Sequence, residues 1–124
     1  MSTSHVNDQV TVDFLEDFLD AWNRHDIEGI LQLLDGDCLY ISGDGARARG
    51  HDEIRELLSS FLTRFPDAHW RDATHFVAGE HGASEWPFTG TDSGGNRVKL
   101  DACDLFTFQN GRIALVSAYR RNRP

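Results

Sequence analysis

Asp104 interrupts a strand in which Val98, Leu100, Ala102, Phe106 and Phe108 share its period-two phase, so alternation aims a carboxylate at an apolar interior. Such a group either finds a partner or has its pKa raised until it can stay neutral, and acid/base chemistry exploits the second state. Asp104 is therefore the first candidate for exchanging a proton with a ligand. His75 shares a strand phase with Ala73 and Val77 and is the second, as a base, although a hydrogen-bonded structural histidine fits the same pattern. His69 begins the same strand and is a weaker candidate at a pocket mouth. Tyr40 and Ser42 alternate with Leu39 and Ile41, and either face of that strand could turn inward.

The following turn supplies Asp104 with neighbours. Asn110-Gly111 is the preferred two-residue type I′ hairpin turn and makes Gln109 face Arg112. Counting back pairs Phe108 with Ile113, Phe106 with Leu115, Asp104 with Ser117 and Ala102 with Tyr119, all on one face. Ser117 and Tyr119 would then either assist Asp104 or tie it down, as an arginine also could. The opposite face pairs Cys103 with Ala118, Leu105 with Val116 and Thr107 with Ala114, with Asp101 beside Arg120. That face is also largely apolar, which predicts a homodimer built through the outer face of the sheet.

The elements that must carry these residues are legible from periodicity. Phe14, Phe18 and Trp22 recur every four residues with Leu15 and Leu19 beside them, predicting a first helix over 8–24. Asp26 is placed to cap a second helix with Ile27, Ile30, Leu31 and Leu34 as its stripe, ending near Gly36. A strand over 38–42, a turn at Gly43-Asp44-Gly45 and a short extended piece to Gly50 follow. Ile54, Leu57, Leu58, Phe61, Leu62 and Phe65 give a third helix, which Pro66 stops. Strands over 69–78, 83–91, 97–108 and 112–120 complete the chain. The order α-α-β-β-α-β-β-β-β implies an α+β domain whose bent antiparallel sheet wraps around the helices on one face.

At 124 residues the chain fits a single domain, 1–124, with residues 1–7 as a flexible tail. Twelve Lys and Arg against twenty Asp and Glu give a formal charge of −8, which disfavours nucleic acid and anionic membranes as partners. No apolar run approaches the ~20 residues of a membrane helix, and the polar N-terminal residues predict a cytoplasmic protein. Cys38 and Cys103 read as small apolar residues rather than a redox or metal pair. No His/Asp/Glu set has metal-ligand spacing, and His51-Asp52 reads as a helix start, so no metal is expected. Asp44 sits in a Gly-rich loop that suits either an ordinary turn or a lid.

The segment Ala21-Trp22-Asn23-Arg24-His25-Asp26, the pair Gly90-Thr91 and the run from Asp104 to Ile113 together resemble the nuclear transport factor 2-like superfamily, most nearly its SnoaL-like polyketide cyclase and ketosteroid isomerase-like branch. The resemblance implies a cone-shaped, strongly bent mixed sheet around three helices, enclosing an apolar cavity for a small, apolar, cyclic molecule without a cofactor. It places Asp104 where ketosteroid isomerases keep an aspartic acid protonated as a hydrogen-bond donor. The isomerase tyrosine falls on Phe18 and its general-base aspartate on Ser42 or a neighbour, so the ordinary isomerase route is not expected. Scytalone dehydratase-like members pair an aspartate near Asn23 with a histidine at His69 or His75. Polyketide cyclases use an acid/base aspartate in an apolar pocket, the pattern Asp104 fits. In a cone the core and the pocket wall are one surface, so Phe14, Phe18, Trp22, Leu58, Phe61, Trp86 and Phe88 join Tyr40, Ser42 and Ser117 as expected ligand contacts, with Asp104, His75 and Tyr119 as the expected chemical groups. The expected activity is an isomerase, cyclase or lyase; a binding or dimerisation domain is the alternative.

Overall fold

The computed structural model describes residues 10–122. The predicted tail over 1–7 and the predicted helix start at Asp8 lie outside them. Helix α1 spans Val12–Asn23, and the Thr11 hydroxyl caps it by accepting from the Phe14 N–H. Helix α2, Ile27–Gln32, is capped by Asp26, whose carboxylate accepts from the Gly29 N–H at 3.0 Å. Helix α3, Gly50–Arg64, ends at Phe65, because the residue before a proline is held in extended backbone.

The strands are β1 (Leu34–Ile41), β2 (Arg47–Arg49), β3 (His69–Trp70), β4 (Thr74–Ala78), β5 (His81–Thr91), β6 (Arg97–Gln109) and β7 (Arg112–Asn122). They form one strongly curved, unclosed sheet in the order β2-β1-β7-β6-β5-β3, with β4 also paired to β5. All pairs are antiparallel except β1 with β7. The fold is the expected α+β cone. No helix among the described residues is long and apolar enough to cross a membrane.

Three boundaries differ from the sequence reading. The second helix stops at Gln32, and the stretch that includes Gly36 belongs to β1, which begins at Leu34 rather than Cys38. Its apolar residues satisfy both periods, and pairing with β7 decides between them. The strand expected over 69–78 is two strands, broken where Asp72 adopts a left-handed φ of 51°.

The largest correction concerns the last hairpin. Gln109 faces Arg112 and Phe108 faces Ile113 as the turn requires, but the next pair is Thr107 with Leu115. Ala114 is an extra residue in β7, a bulge that inverts the facing of everything beyond it. Asp104 therefore lies opposite Ala118, Ser117 opposite Leu105, and Tyr119 opposite Cys103. The expected Asp104–Ser117–Tyr119 cluster does not form. The Asp101 pair shifts likewise, and the Asp101 carboxylate meets Arg121 at 3.3 Å instead of Arg120.

The core divides along the cone. At one end Phe18 packs edge-on against Phe106 (5.8 Å between centroids) and Phe14 against Phe108 (6.4 Å). Toward the other end, α1 is fastened to β3 by Asn23, whose side-chain amide donates to the Trp70 carbonyl at 2.7 Å and accepts from the Trp70 N–H at 2.9 Å. His25, in a left-handed conformation, bonds the Ala68 carbonyl at 2.8 Å. Asn23→Ala removes both Trp70 bonds and leaves two backbone groups of a half-buried strand unpaired. We expect a loss of about 1–3 kcal/mol in urea unfolding with an unchanged m-value; a loss below about 0.5 kcal/mol would show that this clamp is dispensable.

Candidate functional site

Between α1, α3 and the concave face of the sheet lies a cavity of about 270 Å³, near the lower end of the range that holds small ligands. Its aromatic wall is built from Trp22 on α1, Phe61 on α3, Trp70 on β3, and Trp86 and Phe88 on β5. Trp22, Phe61, Trp70 and Phe88 contact one another, with Trp22–Trp70 centroids 4.9 Å apart, Trp70–Phe88 5.1 Å and Phe61–Trp70 5.9 Å. All three tryptophans of the chain therefore face one space. Leu57 and Leu58 on α3 and Leu100, Ala102 and Ala118 on the sheet complete the apolar lining.

The polar groups in this wall are few. Asp104 is 5% exposed, and no hydrogen bond or salt bridge reaches its carboxyl among the described residues. Burial alone raises its pKa to about 7. Tyr40 shares the lining, and its phenol is pushed well above its usual range, first by burial and then by the charge of Asp104. Two carboxyl states, acid and carboxylate, are both accessible to Asp104 near neutrality. The buried indole Nε1 of Trp86 has no hydrogen-bond partner among the described residues, a condition that costs about 1–3 kcal/mol when nothing offsets it. The register sets Trp86 opposite Ala102 and Ser84 opposite Asp104, so the two unpartnered groups lie on adjacent rows of one sheet face.

The expected site residues fall into three groups. Asp104, Trp22, Tyr40, Ser42, Leu58, Phe61, Trp86 and Phe88 line the cavity, with Tyr40 on β1 and Ser42 just beyond its end. Tyr119 borders the mouth but stands opposite Cys103 on the convex face, 55% exposed. His75, Ser117, Phe14 and Phe18 are elsewhere. His75 is on the concave face, but its Nδ1 bonds the buried Ser84 hydroxyl at 2.7 Å, and it does not line the cavity. Burial lowers its pKa and favours neutral imidazole. Ser117 faces away, and Phe14 and Phe18 fill the packed end of the cone. His69 is exposed at the start of β3. No group of His, Cys, Asp and Glu suited to a metal ion occurs among the described residues.

Sequence reasoning missed several lining residues. Leu100 and Ala102 share Asp104's strand phase, so a signal for them existed. Leu57 and Arg64 fall one turn before and one turn after the expected Phe61 on α3, a stripe that includes its own polar end. Ala118 and Arg120 were hidden by the bulge.

A model of the SnoaL-like domain family matches residues 15–116. The chain belongs to the SnoaL-like domain family. The match spans every element described above except the ends of α1 and β7. No curated protein matches the sequence. Solved structures share the fold at low identity. A hypothetical protein with a ketosteroid isomerase-like fold from Catenulispora acidiphila, in complex with trimethylamine, is 18% identical (TM-score 0.81; 89% of this chain and 86% of that one). A protein from Xanthomonas campestris pv. campestris, provisionally assigned as a polyketide cyclase, is 20% identical (TM-score 0.81; 87% of each chain). TerC, co-crystallised with polyporic acid, is 19% identical (TM-score 0.79; 89% and 90%).

The raised pKa of Asp104 makes stability depend on pH in a definite sense. With a folded value of about 7 against an ordinary 3.8, the native SnoaL-like domain holds this proton over a range where the unfolded chain has lost it. The contribution is fully present below pH ~4 and is lost as pH rises toward about 7, amounting to about 4 kcal/mol. Asp104→Asn, neutral at every pH, should therefore be more stable than the parent at pH ~8 and should lose most of that slope. Equal slopes for the two proteins in thermal unfolding from pH ~5 to ~8 would refute the assignment.

Proposed function

We propose that this SnoaL-like domain is a small-molecule enzyme of the isomerase, cyclase or lyase kind, in which Asp104 exchanges a proton with a cyclic substrate seated in the aromatic cavity. The observation that carries the reading is an unpartnered aspartic acid in an apolar cavity, with burial setting its pKa near neutrality. A group poised near the working pH gives both a usable acid and a usable base, which is where proton transfer is most effective. As the carboxylate, Asp104 removes the proton from the carbon beside a carbonyl and leaves an enolate; as the resulting acid, it returns that proton to the enolate, at oxygen or at a different carbon. The orphaned Trp86 N–H is the natural second donor to the same oxygen, and in an apolar surround such a donor acts with little reorganisation. Neither step calls for a cofactor. The ordinary ketosteroid isomerase route does not suit the chain, because Phe18 is a ring packed on Phe106 and Ser42 has no carboxylate to serve as base.

Polyketide cyclase assignments among the structural neighbours support the reaction class, and the trimethylamine and polyporic acid in two of them support small-molecule binding. Solvent-deuterium exchange tests the chemistry without a known product. Fused-ring ketones incubated with the protein in D₂O should exchange their α-protons, and Asp104→Asn should slow this by at least about 10²-fold with near-UV circular dichroism unchanged. Trp86→Phe should lower the rate by about 10-fold or more. Exchange retained in Asp104→Asn would refute the role of Asp104.

A second reading makes the same cavity a non-catalytic binding site. It is favoured by the position of His75, which leaves Asp104 without a second base in the cavity. Ligand recovered unchanged, with no exchange in the parent protein, would select it.

The convex face supports a homodimer. Phe76, Leu105 and Tyr119 are 60%, 46% and 55% exposed, and Phe76, Ala83 and Leu105 fall in one row across β4, β5 and β6. Sedimentation at micromolar concentration should show a dimer that Leu105→Glu converts to monomer; a monomeric parent protein would exclude it.

A further inference from the structure

Resting on the reading of the cavity as a ligand site, we infer that the substrate carries an anionic group, held by Arg64 and Arg120, at the end of its apolar ring system. The lining of this cavity is mostly apolar and aromatic, yet it includes two arginines, Arg64 at the C-terminal end of α3 and Arg120 near the C-terminal end of β7. Most arginines of the chain are already committed. Arg24, Arg55, Arg97 and Arg121 are in ion pairs, and Arg49 and Arg112 donate to backbone carbonyls. Arg64 and Arg120 have no ion-pair partner among the described residues, although the chain carries a formal charge of −8 and carboxylates are plentiful.

Both side chains are positioned rather than loose. The Arg64 guanidinium lies 5.1 Å from the Phe65 ring centroid and 5.9 Å from that of Phe61, a cavity-wall residue. The stem of Arg120 crosses Gly43 so closely that a Cβ there would come within 2.9 Å of its Cδ. Arg120 follows Ala118, which faces Asp104, by two residues on the same face of β7. Besides Asp104, the carboxylate in this lining is Asp44, which its own loop engages as it accepts from the Ser42 hydroxyl and the Ala46 N–H at 3.1 Å. The lining thus sets two arginines against one carboxylate already bonded within its loop. Arginine's flat donor fork suits a carboxylate or a similar oxyanion.

The geometry also orients the substrate. A ring system against Trp22, Trp70 and Phe88 would turn its anion to the arginines and its uncharged part to Asp104, where an anion would meet a carboxyl that burial already disfavours charging.

Calorimetric titration with 2-naphthoate and its neutral isostere 2-naphthamide, at low salt and about pH 6, tests the inference. The acid should bind at least about tenfold tighter than the amide. In the Arg64→Gln/Arg120→Gln double variant this preference of acid over amide should fall to within about twofold. Amide binding without preference for the acid, or a preference that survives in the double variant, would overturn this inference while leaving the ligand cavity intact. If neither probe binds, the cavity reading fails and this inference fails with it.

Discussion

Between Phe108 and Thr107 strand β6 advances one residue while β7 advances two, and much else in the molecule follows from that extra residue. A bulge bends its strand and sharpens the local twist, which a sheet needs if it is to wrap around helices instead of lying flat against them. It also changes which side chains face inward. Ile113 and Val116, three apart, are both fully buried, and Ala118 and Arg120 continue the inner row. Without the bulge the inner row would continue from Ile113 through Leu115, Ser117 and Tyr119, placing two hydroxyls beside Asp104. With it, the neighbour across β7 is a methyl group. The isolation of Asp104 is thus a consequence of backbone register more than of its own strand.

That isolation has an energetic consequence that the rest of the fold must offset. A carboxyl held at a pKa of about 7 spends part of its time as a buried, unpartnered charge at neutral pH, and the Trp86 N–H adds a second unsatisfied group. The packed end of the cone, where Phe14, Phe18, Phe106 and Phe108 make edge-on and stacked ring contacts, and the Asn23 clamp at the other end are well suited to carry such a deficit. Polar groups left unsatisfied in an otherwise consistent core are the kind of local conflict that functional sites retain.

Much of the fold was legible because long periodic segments leave little choice. The four-residue recurrence of Phe14, Phe18 and Trp22, and the stripe from Ile54 to Phe65, could be nothing but helices, and the strand alternation around Asp104 aimed it correctly. What failed was arithmetic across a boundary. The run Ile113-Ala114-Leu115-Val116 is apolar at every position, so neither facing is marked and a one-residue slip leaves no trace in composition. The positions of Ser117 and Tyr119, and the contribution of Arg120, all depended on that slip. His75 was placed on the correct face, but nothing local shows that Ser84, nine residues on, engages it. The resemblance marked Asn23 only as occupying the region of a dehydratase-like aspartate, and its structural part was not legible: its amide, with a donor and an acceptor, closes two bonds on one backbone unit.

The separation of charge within the cavity explains how a strongly acidic protein could still accept an anion. At distances beyond about 8 Å in physiological salt the bulk charge of −8 is screened, so it influences encounter more than the bound state. Inside, the balance would be set by the lining itself: two arginines, a tied carboxylate in the Gly43–Gly45 loop, and an aspartic acid that burial biases toward its neutral form. An anion at the rim then opposes ionisation of Asp104 and keeps it a donor, whereas a neutral ligand would leave it nearer its midpoint. The charge on the bound molecule would in this way select which half of acid/base chemistry Asp104 performs.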